Sequence, residues 1–234
     1  MQITNLYKKF LFSFFSIFFI ITSAQALSLN KTSVILDAPW GMTWLDDNHL
    51  LITQKSGEIF MVNTQDYSQT PIKHNIPSVQ YGQGGMLDII SEENNVWVTC
   101  SIEKDGKHTT AIYHAELSGD SLINEKKIYE ALPFIKSPYH FGSRLELKGD
   151  YLYASIGERG EGMIAQDPTN SIGTIIRIHK NGDIPDDNPY LDNPNWLPEI
   201  YQIGVRNPQG MSLDPVSEDI FISNHGPKGG DFIG

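Results

Sequence analysis

A hairpin signal returns four times along the 234 residues, and it limits the fold more sharply than anything else in the chain. Each occurrence is a glycine, an apolar strand, a turn, and a second strand ending in Thr or Ser. The glycines are Gly41 (Gly-Met-Thr-Trp), Gly85 (Gly-Met-Leu-Asp), Gly142 (Gly-Ser-Arg-Leu) and Gly210 (Gly-Met-Ser-Leu). The closing residues are Thr53, Thr99, Ser155 and Ser223, so the internal spacings are 12, 14, 13 and 13. Successive starts lie 44, 57 and 68 residues apart. A constant hairpin with a lengthening remainder predicts a β-propeller with loop insertions, since blades run roughly 40–50 residues. Propellers close rings of four to eight blades, yet the fourth unit holds only Gly210 to Gly234, 25 residues. The expectation is therefore a truncated ring of roughly three and a half blades, with the last sheet left uncovered on one face.

Local composition agrees with an all-β chain. The first 26 residues contain no Gly or Pro, so all 20 Gly and 13 Pro fall in the remaining 208 residues. That share, about 16%, exceeds the roughly 12% of average proteins, and turns are correspondingly frequent. Between them lie short β-branched and aromatic runs: Leu50-Leu51-Ile52-Thr53, Val96-Trp97-Val98-Thr99, Tyr151-Leu152-Tyr153-Ala154 and Ile220-Phe221-Ile222-Ser223. Turn signals follow several strands, such as Lys55-Ser56-Gly57 before Glu58 to Val62, and Lys180-Asn181-Gly182-Asp183 after Thr174 to Ile178. The predicted architecture is consecutive antiparallel strands.

Residues 1–26 read as a secretory signal peptide, with residues 27–234 as the propeller domain. Lys8 and Lys9 precede an apolar run from Phe10 to Ile21, and Ala24-Gln25-Ala26 precedes Leu27. The 12-residue apolar run is too short to span a bilayer. The expected location is thus periplasmic or secreted, with no membrane span once the segment is removed. Removal leaves 15 basic against 28 acidic residues, a net charge of −13, which argues against nucleic acid as a partner. Cys100 is the only cysteine, so no intramolecular disulfide can staple an exported fold.

In a propeller the segment leading into each innermost strand lies on one face near the axis. The segments before the four glycines are Pro39-Trp40, Gly82-Gln83-Gly84, Tyr139-His140-Phe141 and Arg206-Asn207-Pro208-Gln209. Alone, His140 between two aromatics reads as a satisfied core histidine. At matched phase with Gln83, Arg206 and Asn207, it reads as part of a site for an anionic, planar ligand held by a guanidinium and amides beside a base.

Further motifs in order carry a resemblance. They are Gly82-Gln83-Gly84-Gly85-Met86-Leu87-Asp88, His140-Phe141-Gly142-Ser143-Arg144-Leu145, Gly157-Glu158-Arg159-Gly160, Gln166-Asp167 with Asn170 and Gly173, Ile184-Pro185 with Asp187-Asn188-Pro189, Arg206-Asn207-Pro208-Gln209-Gly210, and His225 through Asp231. Across about residues 35 to 231 the chain resembles the N-terminal part of the glucose/sorbosone dehydrogenase family, in particular its PQQ-dependent aldose sugar dehydrogenases. The resemblance implies a six-bladed propeller of the soluble quinoprotein glucose dehydrogenase type, with pyrroloquinoline quinone (PQQ) over the axis on a calcium ion. It implies a periplasmic oxidoreductase that converts the C1 hydroxyl of aldoses to lactones and passes electrons to an acceptor such as a quinone or cytochrome. It places His140 as the general base, Gln83, Arg206 and Asn207 on the cofactor, and the carbonyls of Gly226 and Pro227 on Ca²⁺. A neutral imidazole suits proton removal at working pH, and Arg206 with Ca²⁺ suits charge developing on quinone oxygens.

Two departures stand out. Phe232 follows Gly229-Gly230-Asp231 where the family has a Glu that ligates calcium, and Ser223-Asn224 replaces its bulky-acidic pair before His225. Two other readings fit less of the pattern: a Ca²⁺-dependent sugar lactonase on a similar propeller, and a non-catalytic secreted propeller fragment. The Gly82 to Gly85 run reads as a tight turn, lacking the helix and Lys-Ser/Thr of a phosphate loop. The acidic stretch Asp183 to Asp192 reads as a solvated connection between blades.

Overall fold

A computed structural model describes residues 28–234; the signal segment expected at residues 1–26 lies outside them. Residues 28–33 form no regular element. From there the chain is built of four antiparallel meanders in succession. The first sheet holds β1 (Pro39–Trp44), β2 (His49–Gln54), β3 (Ile59–Asn63) and β4 (Gln69–Ile72). The second holds β5 (Met86–Glu92), β6 (Asn95–Lys104), β7 (Lys107–Ser118) and β8 (Ser121–Glu130). The third holds β9 (Gly142–Lys148), β10 (Tyr151–Ile156), β11 (Thr174–His179) and β12 (Ile200–Ile203). The fourth has three strands, β13 (Pro208–Leu213), β14 (Ile220–Asn224) and β15 (Phe232–Ile233). The first strands of successive sheets pack side by side, β1 on β5, β5 on β9 and β9 on β13. This is the blade arrangement of a propeller, and the four hairpins read from sequence are the first two strands of each blade. No helix among the described residues is long and apolar enough to cross a membrane.

Three apolar layers lie between the four blades, and the two-residue period of the strands feeds them alternately. On β6, Val96, Val98 and Cys100 join Leu51, Ile59 and Ile89 between the first and second blades. Trp97, between them in sequence, faces the other way onto Leu152, Ala154 and Ile176 of the third blade. On β10 and β11 the same alternation sends Leu152, Ala154, Ile176 and Ile178 toward the second blade, and Tyr153 and Ile175 toward Met211 and Ile222 of the fourth. Strands buried on both faces explain the near-continuous apolar runs. Met42 and Trp44 in the first blade and Phe221 in the fourth are exposed.

The recurring Thr or Ser has a physical role at every seam. Each innermost strand is bulged near its start, where the register slips between Pro39 and Met42, Met86 and Ile89, Gly142 and Leu145, and Pro208 and Gly210. The hydroxyl from the second strand fills that bulge and reaches into the next blade. Thr53 Oγ1 accepts the Gly41 N–H at 2.9 Å and donates to the Leu87 carbonyl at 2.5 Å. Thr99 Oγ1 accepts the Asp88 N–H at 2.8 Å and donates to Ser143 O at 2.7 Å. Ser155 Oγ accepts the Arg144 N–H at 3.0 Å and donates to Pro208 O at 2.9 Å. The pairing makes Gly41, Asp88, Arg144 and Gly210 the equivalent residues, so Gly85 and Gly142 precede the bulge instead of marking it. The phase belongs to the hydroxyl, and the glycines only approximate it.

The acidic stretch does not connect blades, as expected, but joins β11 to β12 inside the third. It is also pinned: Arg177 donates through Nη2 to Asp187 Oδ1 at 2.7 Å and through Nε to Asn188 Oδ1 at 2.6 Å. Lys180 to Asp183 form a turn, with Gly182 N–H on His179 O, but no hairpin partner follows directly.

Candidate active site

Antiparallel pairing brings the start of each innermost strand beside the end of the second strand. Segments before the bulge and segments after the hydroxyl therefore share one end of the blade. At the seam of the second, third and fourth blades these segments interlock around His140.

The Gly82 turn of the second blade grips the 138–140 segment twice. Gln83 donates its N–H to Pro138 O at 2.8 Å, and its Oε1 accepts the His140 N–H at 2.8 Å. The approach is close enough that a Cβ on Gly82, whose φ is +58°, would lie 2.3 Å from Pro138 Cβ. His140 takes φ +49°, a left-handed conformation unusual for a residue other than glycine. After the third blade's hydroxyl, Gly157 passes under this segment. A Cβ there would lie 2.0 Å from the His140 carbonyl oxygen, so only glycine lets the two backbones meet.

The next residue, Glu158, is the partner that the pattern of amides and Arg did not assign. Its Oε1 binds His140 Nδ1 in a short hydrogen bond, and its Oε2 accepts the Gly162 N–H at 2.8 Å. Its side chain is 4% exposed, and Arg206 Nε lies 3.7 Å from Oε1. An ionised carboxylate only accepts, so Nδ1 carries the imidazole proton and the lone pair of Nε2 has no partner among the described residues. The His140 side chain is 13% exposed. Glu158 thus fixes tautomer and ring direction, and it shares its charge with Arg206.

From the fourth blade, Arg206 and Asn207 are both held by Asn224, whose Oδ1 accepts their N–H groups at 3.1 and 2.9 Å. The replacement at Asn224 noted in the sequence therefore supports the site's backbone. Asn207 Oδ1 accepts the Gly142 N–H at 3.0 Å. The oxygens of Gln83 and Asn207 are thus spent on backbone, which leaves both NH₂ groups as donors without an acceptor among the described residues. Arg206 Nη1 donates to His225 O at 2.9 Å and faces Gly226 O at 3.4 Å. The Pro227 carbonyl accepts the Gly230 N–H at 3.0 Å, and Asp231 Oδ1 accepts the Gly226 N–H at 2.9 Å.

Four of the residues singled out in the sequence, Gln83, His140, Arg206 and Asn207, therefore share one hydrogen-bonded cluster. The first-blade segment does not join it. Trp40 instead lies under the Arg144 guanidinium, 4.7 Å from ring centroid to Cζ. Arg144 reaches Asp88 Oδ1 at 2.7 Å and Gln209 O at 3.0 Å. Burial pushes the Asp88 carboxyl up to about 6 even with that guanidinium beside it. Gly226 and Pro227 lie next to the cluster through Arg206.

The same hydrogen-bonded cluster holds an imidazole nitrogen with no partner among the described residues, a guanidinium and two amide donors, that is, a proton acceptor together with groups that bind anions. Residues 36–234 match the glucose/sorbosone dehydrogenase family. The chain is similar to aldose sugar dehydrogenase YliI of Escherichia coli (strain K12), 35% identical over 209 residues, covering 85% of this chain and 56% of that protein. It is also similar to quinoprotein glucose dehydrogenase B of Acinetobacter calcoaceticus, 26% identical over 249 residues, covering 90% of this chain and 51% of that protein. Among solved structures, the soluble aldose sugar dehydrogenase of Escherichia coli in its apo form superposes with a TM-score of 0.80 at 34% identity, covering 85% of this chain and 60% of that one. The chain thus spans between half and two thirds of the length of these relatives, and over that span it belongs to the glucose/sorbosone dehydrogenase family.

Proposed function

We propose that this chain carries the proton-abstracting part of an oxidoreductase site that converts the C1 hydroxyl of an aldose to the lactone, with PQQ as cofactor. The observation that supports it most is the imidazole of His140, held through Nδ1 by buried Glu158 with Nε2 free. Nε2 takes the hydroxyl proton as the C1 hydrogen leaves as hydride, and the Glu158 carboxylate stabilises the imidazolium that forms. The donor set fits an anionic quinone: Arg206, the Gln83 amide and the Asn207 amide would hold it, and their oxygens are already committed to backbone N–H groups. When bound, PQQ supplies the hydride acceptor. Arg206, fixed by Asn224 and His225 O, would supply positive charge to quinone oxygens as they gain electron density.

Calcium does not fit the turn as it stands. Gly226 O faces the Arg206 guanidinium, Pro227 O already accepts the Gly230 N–H, and the Phe232 side chain brings no oxygen. Export to the periplasm or the medium belongs to the same proposal and rests on the order of residues 1–26; an N-terminus at Leu27 in the isolated protein would support it. The electron acceptor in this reading is a small quinone or a cytochrome.

The test pairs binding with turnover. A hundredfold excess of PQQ over its Kd should stabilise the chain by about 2.7 kcal/mol, visible as a raised melting midpoint that Arg206→Ala abolishes. His140→Ala should keep that shift and lose turnover of aldoses by about 10²–10⁴-fold, the range of a general base. No PQQ-dependent shift, or turnover that survives His140→Ala, would overturn the reading.

A further inference from the structure

Next to Glu158 sits a second buried charge with a different set of partners. Arg159 is 0% exposed, and among the described residues its guanidinium has three carbonyl oxygens as acceptors and no carboxylate. Nε donates to Tyr139 O at 2.9 Å, Nη1 to His108 O at 2.8 Å, and Nη2 to Ser137 O. Its Cζ lies 3.4 Å from the centroid of the Phe141 ring, and its own N–H reaches His140 O at 3.3 Å. Arg159 therefore contacts residues 137, 139, 140 and 141, on both sides of the base, while Glu158 holds the imidazole. The strand β7 residue it also grips, His108, stacks on Tyr81 with centroids 4.0 Å apart and planes at 8°. Tyr81 belongs to the turn that carries Gln83, since Gly84 N–H bonds Tyr81 O at 2.9 Å. One guanidinium thus connects the Gln83 turn with the His140 segment, and Gln83 closes the circuit on the His140 N–H.

Burying a cation costs several kcal/mol per ion unless its environment repays it. Fixing three irregular carbonyls near the blade seam needs no charge, as an amide or water could serve. A cation is favoured where a planar fork must hold several acceptors in one fixed geometry. The segment it holds contains His140 at φ +49°, a conformation that persists only when the surroundings over-determine it.

We propose that Arg159 is a positioning residue of this site: by clamping the 137–141 backbone to β7, it holds His140 in its left-handed conformation, with the ring in reach of Glu158. This rests on His140 being the base, and the experiment separates the two. The readout is the His140 imidazole Cε1–Hε1 NMR signal in the full chain, assigned by its loss in His140→Ala. The wild type should show one sharp signal and a slowly exchanging Arg159 Nε–H. In Arg159→Met the His140 signal should split or broaden and its titration midpoint should move, with Arg159→Lys intermediate because an ammonium replaces the planar fork. Where turnover is measured, kcat should fall about 10²-fold with KM little changed, the signature of misplacement by about 1 Å. An unaltered His140 signal in Arg159→Met would overturn the proposal even if its melting midpoint drops. So would a rapidly exchanging Nε–H in the wild type, which decides the matter if neither variant folds. If His140→Ala retains turnover while the ring signals still respond to Arg159, the base assignment falls and the positioning stands.

Discussion

The seam hydroxyls make a quantitative prediction about how the blades are held together. Thr99 is fully buried, and its hydroxyl oxygen accepts the Asp88 N–H at 2.8 Å while its O–H donates to Ser143 O at 2.7 Å in the next blade. Replacing it with Val keeps the shape and strips both partners, leaving a backbone donor and a backbone acceptor buried without a bond. At about 1–3 kcal/mol each, less what is gained by no longer burying a hydroxyl, the loss comes to about 2–4 kcal/mol. For a chain of this size each kcal/mol moves the midpoint roughly 2–4 °C, so thermal melts followed by circular dichroism should drop by roughly 5–15 °C. Two companions isolate the hydroxyl. Thr99→Ser keeps it and loses one buried methyl, costing about 1 kcal/mol. Ser223→Ala removes the fourth hydroxyl of the series, which is exposed and makes no such bond among the described residues, and should stay within about 0.5 kcal/mol. If Thr99→Val is no worse than Thr99→Ser, or if Ser223→Ala matches it, the hydroxyl is not what joins the blades.

Three further outcomes follow from buried titratable groups. Glu158→Gln should cost more than loss of charge alone. Gly162 N–H requires an oxygen at its side of the carboxyl, which turns the amide NH₂ toward His140 Nδ1 and puts the imidazole proton on Nε2; turnover should fall about 10⁴-fold with PQQ binding retained, and a fall under tenfold would refute the tautomer argument. Asp88 is raised to about 6 by burial, so its contribution to stability is full below the unfolded value of about 4 and is lost as pH rises through about 6. Urea midpoints of wild type should decline relative to Asp88→Asn across that window, and parallel curves would contradict the assignment. Burial pushes the Cys100 thiol up to about 12, so a thiol reagent at pH 8 should react only as the chain unfolds; labelling of the native chain at a free-cysteine rate would show the core to be open.

The blade count and the paired first strands were legible because each unit must rebuild the same seam, and a seam needs a small hydroxyl at a fixed place. Thr53, Thr99 and Ser155 are therefore under one constraint, which local sequence can display. The glycines were less faithful because a bulge can be opened by different means. Gly41 and Gly210 leave room for their neighbours, and a Cβ on Gly41 would lie 2.7 Å from Asp88 Oδ1. Asp88 and Arg144 occupy the same position as a charge pair. The long segment between β11 and β12 was misread as a link between blades because its composition is that of any surface loop. What places it inside the third blade is Arg177 reaching from β11 to Asp187 and Asn188, a contact between residues ten and eleven apart with no periodic signature.

The candidate site was half legible for a topological reason. The segments before the innermost strands carry Gln83, His140, Arg206 and Asn207. In an antiparallel hairpin the residue before the first strand and the residue after the second are neighbours, as the pairing of Pro39 with Gln54 and of Pro208 with Asn224 shows. The same phase rule, counted from the hydroxyl instead of the glycine, leads from Ser155 three and four residues on to Glu158 and Arg159, and from Ser223 to Gly226 and Pro227. The third blade thus contributes two short segments to this face, one that presents His140 and one that supports it, the fourth does the same with Arg206 and Gly226, and the second blade holds the third through Gln83 and His108. His140 comes from the first kind, and both residues that fix it, one by its ring and one by its backbone, come from the second. A base assembled this way depends on the packing of adjacent blades, so substitutions at the seam hydroxyls should disturb His140 without touching it. The Ser155→Ala variant, whose hydroxyl lies three residues from Glu158, should therefore broaden the His140 ring signal, whereas the first-seam variant Thr53→Ser should not.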